Sequence, residues 1–276
     1  MTLIIKNIKL FLKELTKMIT STSVVTHTFN QNKELLHLIR GLIKSNFRDE
    51  LIIVAIGEED PSEVLEEDLP FSVKLLYLQR PSSTLPLAQA KNIGFSMAQG
   101  EAIVFLEPNQ IPTKDLFKNT LEILELSPNV IVTGRRMEIP KLPHKNWSYK
   151  YLHAKSKKLK WDTGRAILTG GSFAMLKSLY IEIEGFEERY FDESANIDFY
   201  LKADRKGYST VVSKDIWTYE LKNRCRPMSI DLDKLIETSI LFYTKWGSFP
   251  SPKFLKAFEK KGLIILNEGL GTVSRA

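Results

Sequence analysis

The stretch that decides the fold is EAIVFLEPNQIP, residues 101–112. Its five successive apolar residues, 102–106, predict a strand that is covered on both faces, as in a parallel sheet. The strand stops at a polar turn formed by residues 107–110. Open α/β sheets bind ligands outside the carboxyl ends of their strands, so this turn is a candidate site. An ordinary β-turn is the alternative, because proline and asparagine favour turns without any ligand.

The composition is that of a globular protein with excess positive charge. The 276 residues are 43% hydrophobic and 26% charged, which is enough apolar material for a full core. The net charge of +6 suits anionic ligands such as nucleotide phosphates, anionic lipid or nucleic acid. The single cysteine, Cys225, excludes an internal disulfide and indicates a reducing, cytoplasmic setting. No apolar run approaches the roughly 18 residues of a membrane span.

Residues 2–19 predict a separate amphipathic helix. Its apolar side chains fall on one face of a helical wheel and its lysines on another. A secretion signal would carry its charges ahead of its apolar core, whereas here the two are interleaved. Two interpretations stay open. The helix packs on the domain, or it lies in an anionic membrane interface, which would make the protein peripheral at the inner face of the membrane.

An alternation of strands and helices follows the N-terminal segment. Apolar strands are predicted at 23–27, 51–56, 73–78, 101–106 and 130–133. Amphipathic helices are predicted at 32–44, 87–97 and 115–126. This rhythm favours an α/β fold with a doubly wound sheet and helices on both faces. We divide the chain into the helix 1–20, a first α/β half 21–140 and a second half 141–276 of the same domain.

The second half is less regular. Residues 144–165 mix aromatic and basic side chains and predict a long surface excursion. No RNA-binding pattern accompanies them, so a solvated loop is favoured and nucleic acid is not expected as a partner. Further strands are predicted at 173–175, 210–212 and 216–220, and helices at 197–206, 232–246 and from 177 onward. Four histidines without metal-ligand spacing are interpreted as structural or exposed: His27, His37, His144 and His153.

Four stretches resemble, in chain order, a family-2-like glycosyltransferase of the GT-A fold. They are VVTHTFNQ (24–31), LPLAQAKNIG (85–94), VFLEPNQIP (104–112) and GGSFAMLKSLYIEIEGFEERYF (170–191). The second is the most specific, because the family carries L-P-L-A-x-A-R-N-x-G there. The tail 226–258 is similar to relatives with a galactosyltransferase-type C-terminal region. The resemblance implies a GT-A mixed sheet.

The resemblance also implies a chemistry. Such enzymes hold a nucleotide-diphosphate sugar at the carboxyl ends of the strands. A D-x-D turn binds Mn²⁺ or Mg²⁺, which take oxygen ligands, and the metal neutralises the leaving diphosphate. A carboxylate takes the proton of the acceptor hydroxyl, and direct displacement inverts the anomeric carbon. The acceptor would be a glycan, a lipid-linked molecule or a protein, in cell-surface or other glycan synthesis.

By position, the resemblance assigns residues of this chain to three tasks. Donor binding falls to Thr28, Asn30, Gly57, Glu58, Lys91, Asn92 and Glu107. The metal set is Glu107, Asn109 and Glu220, and the acceptor side is Gly170 and Gly171. Asn196 stands at the position of the base, and the acids near it are Asp198, Asp192 and Glu193.

The departures from the family pattern fall on this chemistry. Glu107 and Asn109 replace the two aspartates of the metal turn, and Glu220 stands where relatives often carry a metal-binding histidine. Asn196 is an amide and cannot accept a proton at neutral pH. Two accounts therefore compete. Either the enzyme is active with altered ligands and a neighbouring acid as base, or it is a degenerate relative that acts as a binding or scaffolding subunit.

Overall fold

The computed structural model describes residues 18–65, 68–79, 85–141, 143–144, 146–158, 171–222 and 231–276. The predicted N-terminal helix lies outside the described residues except for Met18 and Ile19, which are not helical. Gly170 and Cys225 are also outside them. Within the described ranges, none of the helices combines the length and the apolarity that crossing a membrane requires.

The first part of the chain forms four parallel strands and two helices. The strands are β1 (Thr22–Thr28), β2 (Glu50–Ala55), β3 (Ser72–Tyr77) and β4 (Ala102–Phe105). The helices are α1 (Asn32–Lys44) and α2 (Leu87–Met97). All six agree with the predicted elements to within one residue at either end. Strands β1, β2 and β4 are buried on both faces, as in a parallel sheet.

The rest of the chain completes the sheet and adds a C-terminal hairpin. Its strands are β5 (Gln110–Pro112), β6 (Val130–Ile139), β7 (Lys157–Lys158), β8 (Phe173–Leu176), β9 (Ser209–Leu221), β10 (Ile264–Asn267) and β11 (Thr272–Arg275). Its helices are α3 (Leu116–Leu126), α4 (Tyr149–Lys155), α5 (Lys177–Ile183), α6 (Ser194–Arg205), α7 (Leu232–Trp246) and α8 (Pro252–Glu259).

The sheet is mixed, and its order is β3-β2-β1-β4-β8-β6-β9-β5, with β7 paired to β6. Strand β8 is antiparallel to both neighbours, β4 and β6, and so joins the two halves of the chain. Two hydrophobic clusters cover opposite faces. Alternate residues supply them: Val25 and Ile103 belong to the cluster of α2 and α6, and Val24 and Val104 to that of α1 and α3. The predicted α/β class, with a mixed sheet and helices on both faces, is confirmed.

The second half differs from the sequence prediction in three places. The two strands predicted at 210–212 and 216–220 are one strand, β9, whose pairing with β6 shifts register between Thr133 and Arg135. The segment 144–165, predicted to be a surface loop, contains helix α4 and the buried side chain of Trp147. Helix α8 and the β10–β11 hairpin were not predicted at all. These elements are short, with 8 residues in α8 and 4 in each strand, and contain few apolar residues.

Candidate functional site

The carboxyl ends of β1 and β4 meet at one edge of the sheet, because the two strands are parallel neighbours. There, His27 Nε2 lies 3.2 Å from Glu107 Oε2. The side chain of His27 is buried, and that of Glu107 keeps 29% of its surface exposed. The end of β1 and the predicted turn after β4 therefore bring two ionisable side chains together. His27, interpreted from the sequence only as structural or exposed, is one of these two side chains.

Lys91 brings a buried cation to the same edge from α2. Its Nζ donates to Asn196 Oδ1 at 2.8 Å and lies 4.9 Å and 5.4 Å above the ring centres of Phe105 and Phe186. Burial lowers the pKa of Lys91, while the charges of Glu107 and Glu193 oppose that shift. Asn196, the amide at the base position, therefore accepts a hydrogen bond from a lysine and cannot act as a general base.

Arg136 brings a second cation from β6. Its Nη1 lies 3.3 Å from Glu220 Oε2, and the two side chains keep 36% and 24% of their surface exposed. Glu220 pairs across β9 and β5 with Gln110, whose Oε1 accepts the Glu107 N–H at 3.0 Å. The backbone pairing of β5 with β9 and the hydrogen bond between Gln110 and Glu107 therefore connect the Arg136–Glu220 ion pair to the turn that carries Glu107.

The charges of the site act on one another. Burial works to raise the pKa of Glu107, but the charges of His27, Lys91 and Arg136 and the hydrogen bond from His27 hold that pKa below its ordinary value. The pKa of Glu220 is raised, because burial and the repulsion of two other glutamates outweigh Arg136 and a hydrogen bond from Asn109. The pKa values of the two acids are thus shifted in opposite directions, that of Glu107 down and that of Glu220 up.

The three predicted metal ligands do not fit a divalent cation. Glu107 contacts His27, Asn109 Nδ2 donates to Leu221 O at 3.0 Å, and Glu220 contacts Arg136. In the part of the chain that the structure describes, no three His, Cys, Asp or Glu side chains are grouped to hold a metal ion. A divalent ion would have to share this space with a guanidinium, which repels it. The Mn²⁺ or Mg²⁺ expected from the resemblance is not supported by this donor set.

The acids near the base position have different surroundings. Asp198 is fully buried, accepts from Trp246 Nε1 at 2.8 Å and pairs with Lys245 Nζ at 2.6 Å, so its carboxylate faces α7. Asp192 Oδ1 accepts the Ser194 N–H at 2.9 Å and shapes the start of α6.

Glu193 is the acid that remains open to solvent. Neighbouring protein atoms displace water from its carboxylate and, with the charge of Asp192, raise its pKa, while Arg136 and Lys91 oppose that shift. The charges of Arg136 and Lys91 therefore both act on Glu193.

The predicted donor-binding residues divide into loop-shaping and available groups. Asn30, at φ 52°, accepts the N–H of Glu58 at 2.8 Å through its side-chain oxygen, and a Cβ on Gly57 would lie 2.1 Å from that oxygen. The side-chain amide of Asn92 is hydrogen-bonded to the backbone of Phe186 and to other groups of the scaffold. Thr28 Oγ1 is buried, and the described residues offer it no hydrogen-bond partner. Thr28 therefore keeps a polar group that a ligand could use, and the side chain of Glu58 is exposed.

The sequence reasoning missed Arg136 as a site residue. It placed the end of the fifth strand at 133, whereas β6 runs on to Ile139. Extending the strand through GRRMEI would have put Arg136 and Glu138 on one face by simple alternation. The usable signal was therefore the continued alternation of side chains, in a stretch that is too polar to look like a buried strand.

Comparison with known proteins identifies the family and the fold. Residues 23–184 match the sequence model of a family described as Glycosyl transferase family 2. Curated protein sequences gave no match. S. aureus TarS 1-349 in complex with UDP-GlcNAc is similar in structure, with 17% identity and a TM-score of 0.60 over 82% of this chain and 66% of that one. GalNAc-T7 with UDP, GalNAc and Mn²⁺ has 14% identity and a TM-score of 0.59, over 88% of this chain and 55% of that one. The chain thus spans less than two thirds of either, and at these identities the likeness concerns the fold.

Proposed function

Because the chain belongs to glycosyl transferase family 2, we propose that it transfers a sugar from a nucleotide-diphosphate donor to an acceptor hydroxyl, with inversion at the anomeric carbon. The observation that carries the proposal is the combination of charges at one sheet edge. Two cations, Lys91 and Arg136, lie near the carboxylate of Glu193, which is open to solvent. Cations suit a diphosphate, and an accessible carboxylate suits an incoming hydroxyl.

In this proposal Glu193 is the general base. The acceptor oxygen forms a bond to the anomeric carbon and gives its proton to the Glu193 carboxylate. The bond from that carbon to the diphosphate oxygen breaks, and the diphosphate leaves with the electron pair, stabilised by Lys91 and Arg136. No step is assigned to a metal ion, because the donor set does not fit one. The acceptor is a glycan, a lipid-linked molecule or a protein.

A donor-hydrolysis assay tests the proposal. UDP-, GDP-, ADP- and dTDP-sugars are incubated with the full chain, with and without Mn²⁺, and release of nucleoside diphosphate is measured. We expect turnover with at least one donor, and a fall of about 10²- to 10⁴-fold in Glu193→Gln, since loss of a base costs that much. The rate of the native protein should rise with pH through a pKa above the ordinary glutamate value, and Glu193→Gln should lose that rise.

Glu122→Gln is the matched control, because Glu122 is exposed on α3 and the same charge is removed there. Its turnover should equal that of the native protein. If no donor turns over but nucleoside diphosphates still bind, the chain is a binding or scaffolding subunit instead. If Glu193→Gln retains native turnover, Glu193 is not the base.

A further inference from the structure

We propose that the guanidinium of Arg136, rather than a divalent cation, receives the diphosphate of the donor in this protein. This inference rests on the proposed function and names the group that does the electrostatic work in the same site. It concerns a residue for which the family resemblance assigns no role.

The first argument is the place of Arg136. It contacts Glu220, the residue at the position where relatives often carry a metal-binding histidine, at 3.3 Å. Strand pairing sets Arg136 opposite Thr218 and Glu138 opposite Glu220, so these even-numbered residues share one face of the β6–β9 ladder. The positive charge therefore stands where the family pattern would put the cation.

The second argument is electrostatic range. The charge of Arg136 acts on Glu107, Glu193 and Glu220, three acids from separate parts of the chain. Lys91 reaches two of the same acids, Glu107 and Glu193. The two cations thus act on a common space, as two ends of a clamp on a diphosphate would.

The third argument is the state of the ion pair. Glu220 Oε2 lies at ion-pair distance from Arg136 but has no hydrogen bond among the described residues. Arg136 keeps 36% of its side chain exposed, so a ligand can reach it. A guanidinium binds phosphate through two parallel hydrogen bonds, which is better geometry than this single contact offers. A diphosphate can therefore take the arginine from Glu220.

Titration calorimetry of metal-stripped protein with UDP, GDP, ADP and inorganic pyrophosphate tests the proposal, in EDTA and again with Mn²⁺. We expect at least one of these anions to bind in EDTA, with an affinity that Mn²⁺ changes less than threefold. Arg136→Met should weaken that binding by about 10- to 100-fold, the range for lost hydrogen bonds to a charged group. Arg136→Lys should fall between the two, because lysine keeps the charge but not the fork.

Two further variants make the result specific. Arg135→Met removes the same charge from the adjacent position on the opposite face of β6, and it should keep native affinity. Glu220→Gln removes the competitor of the diphosphate and should bind as tightly as the native protein or more tightly. Melting temperatures of all variants separate loss of the site from loss of the fold.

Binding of the native protein that appears only with Mn²⁺, and is lost in Glu220→Gln, would overturn the role of Arg136 and leave the proposed glycosyl transfer standing. Equal affinity of Arg136→Met and the native protein in EDTA would overturn it as well. Absence of binding by every probe, with and without Mn²⁺, would remove the proposed function itself, so the two failures are distinct.

Discussion

Gly171 is held at φ +32° against the side chain of Gln110. A Cβ at this position would lie 2.2 Å from Gln110 Nε2. The other end of that amide, Oε1, accepts the N–H of Glu107, so the glycine supports the turn that carries the acid. An acceptor-side residue of the family pattern is thus in contact with the turn on the donor side.

We expect Gly171→Ala to reduce donor affinity, because the added methyl displaces Gln110 and loosens the Glu107 turn. The backbone strain alone costs about 1 kcal/mol or more. Gly207→Ala is the control, since Gly207 has φ +82° but nothing within 4 Å of its Cβ position. Calorimetry with nucleoside diphosphate and thermal unfolding of both variants distinguish strain from site damage. Equal affinities would show that Gln110 does not transmit the change.

At this scale the family resemblance indicated where charged side chains meet, but it did not show which partners each side chain has. Lys91 and Glu107 were predicted to be site residues, and both lie at the edge of β1 and β4. Asn92, predicted from the same motif, is instead used by the scaffold. Sequence position cannot separate these cases, because adjacent residues on α2 face different neighbours. Side-chain direction had to come from packing.

Among the elements, the segment of α4 shows how a stretch that looks like a loop is attached to helix α1. Trp147, just before α4, is 3% exposed, and its Nε1 donates to His37 Nδ1 on α1 at 3.1 Å. Burial and the charge of Arg40 lower the pKa of His37 to about 4. His37 is therefore neutral in the folded protein at neutral pH and can accept this hydrogen bond.

This contact predicts a loss of stability in mild acid. In the unfolded chain His37 takes up a proton near its ordinary pKa of 6.5, whereas the folded protein resists protonation until about pH 4. The free energy of unfolding should fall as pH drops through that window, by up to about 3 kcal/mol. Urea unfolding at pH 7 and pH 5 measures the part of this loss that falls between those two pH values, about 2 kcal/mol.

His37→Gln keeps an acceptor for Trp147 but cannot be protonated, so it should show a smaller difference between pH 7 and pH 5. His144→Gln, at an exposed histidine, should behave as the native protein does. An unchanged pH dependence in His37→Gln would mean that other groups control acid stability.

Elements with a clear apolar period could be predicted, and those without one could not. The strands and helices of residues 22–105 follow from apolar runs and helical spacing. Strand β9 was divided in two because its polar middle, which includes Lys214 and Asp215, lies at the register shift and interrupts the apolar alternation. Helix α4 was hidden by its aromatic and basic composition, which also suits a solvated loop.

For the whole molecule, Asp198 ties α6 to α7. Its buried carboxylate meets Trp246 Nε1 and Lys245 Nζ, and Lys202 Nζ lies 3.9 Å away. These contacts hold α7 against α6, the helix that Glu193 directly precedes. The sequence named Asp198 as a candidate base, and this environment favours a role in stability.

Asp198→Asn should lower the free energy of unfolding toward the lower end of about 3–5 kcal/mol, because Lys245 keeps 30% exposure and can reach water. Turnover per folded molecule should stay near that of the native protein, in contrast to Glu193→Gln. Chemical unfolding and donor hydrolysis at a temperature where the variant is folded give the two numbers. A fall in turnover of 100-fold or more without loss of stability would return the role of base to Asp198.

Because of the register shift in β9, the number of residues in this stretch decides on which face of the sheet a charged side chain lies. Thr133 pairs with Val212 and Arg135 with Trp217, so five steps along β9 accompany two along β6. Strand β9 thus has three more residues than β6 over this stretch. Because three is an odd number and side chains alternate between faces, Glu220 lies on the same side of the sheet as Arg136. Deleting one residue between 213 and 216 would invert the phase of everything after it and send an unaltered Glu220 to the opposite side. In this strand a single-codon deletion should therefore be more damaging than most substitutions.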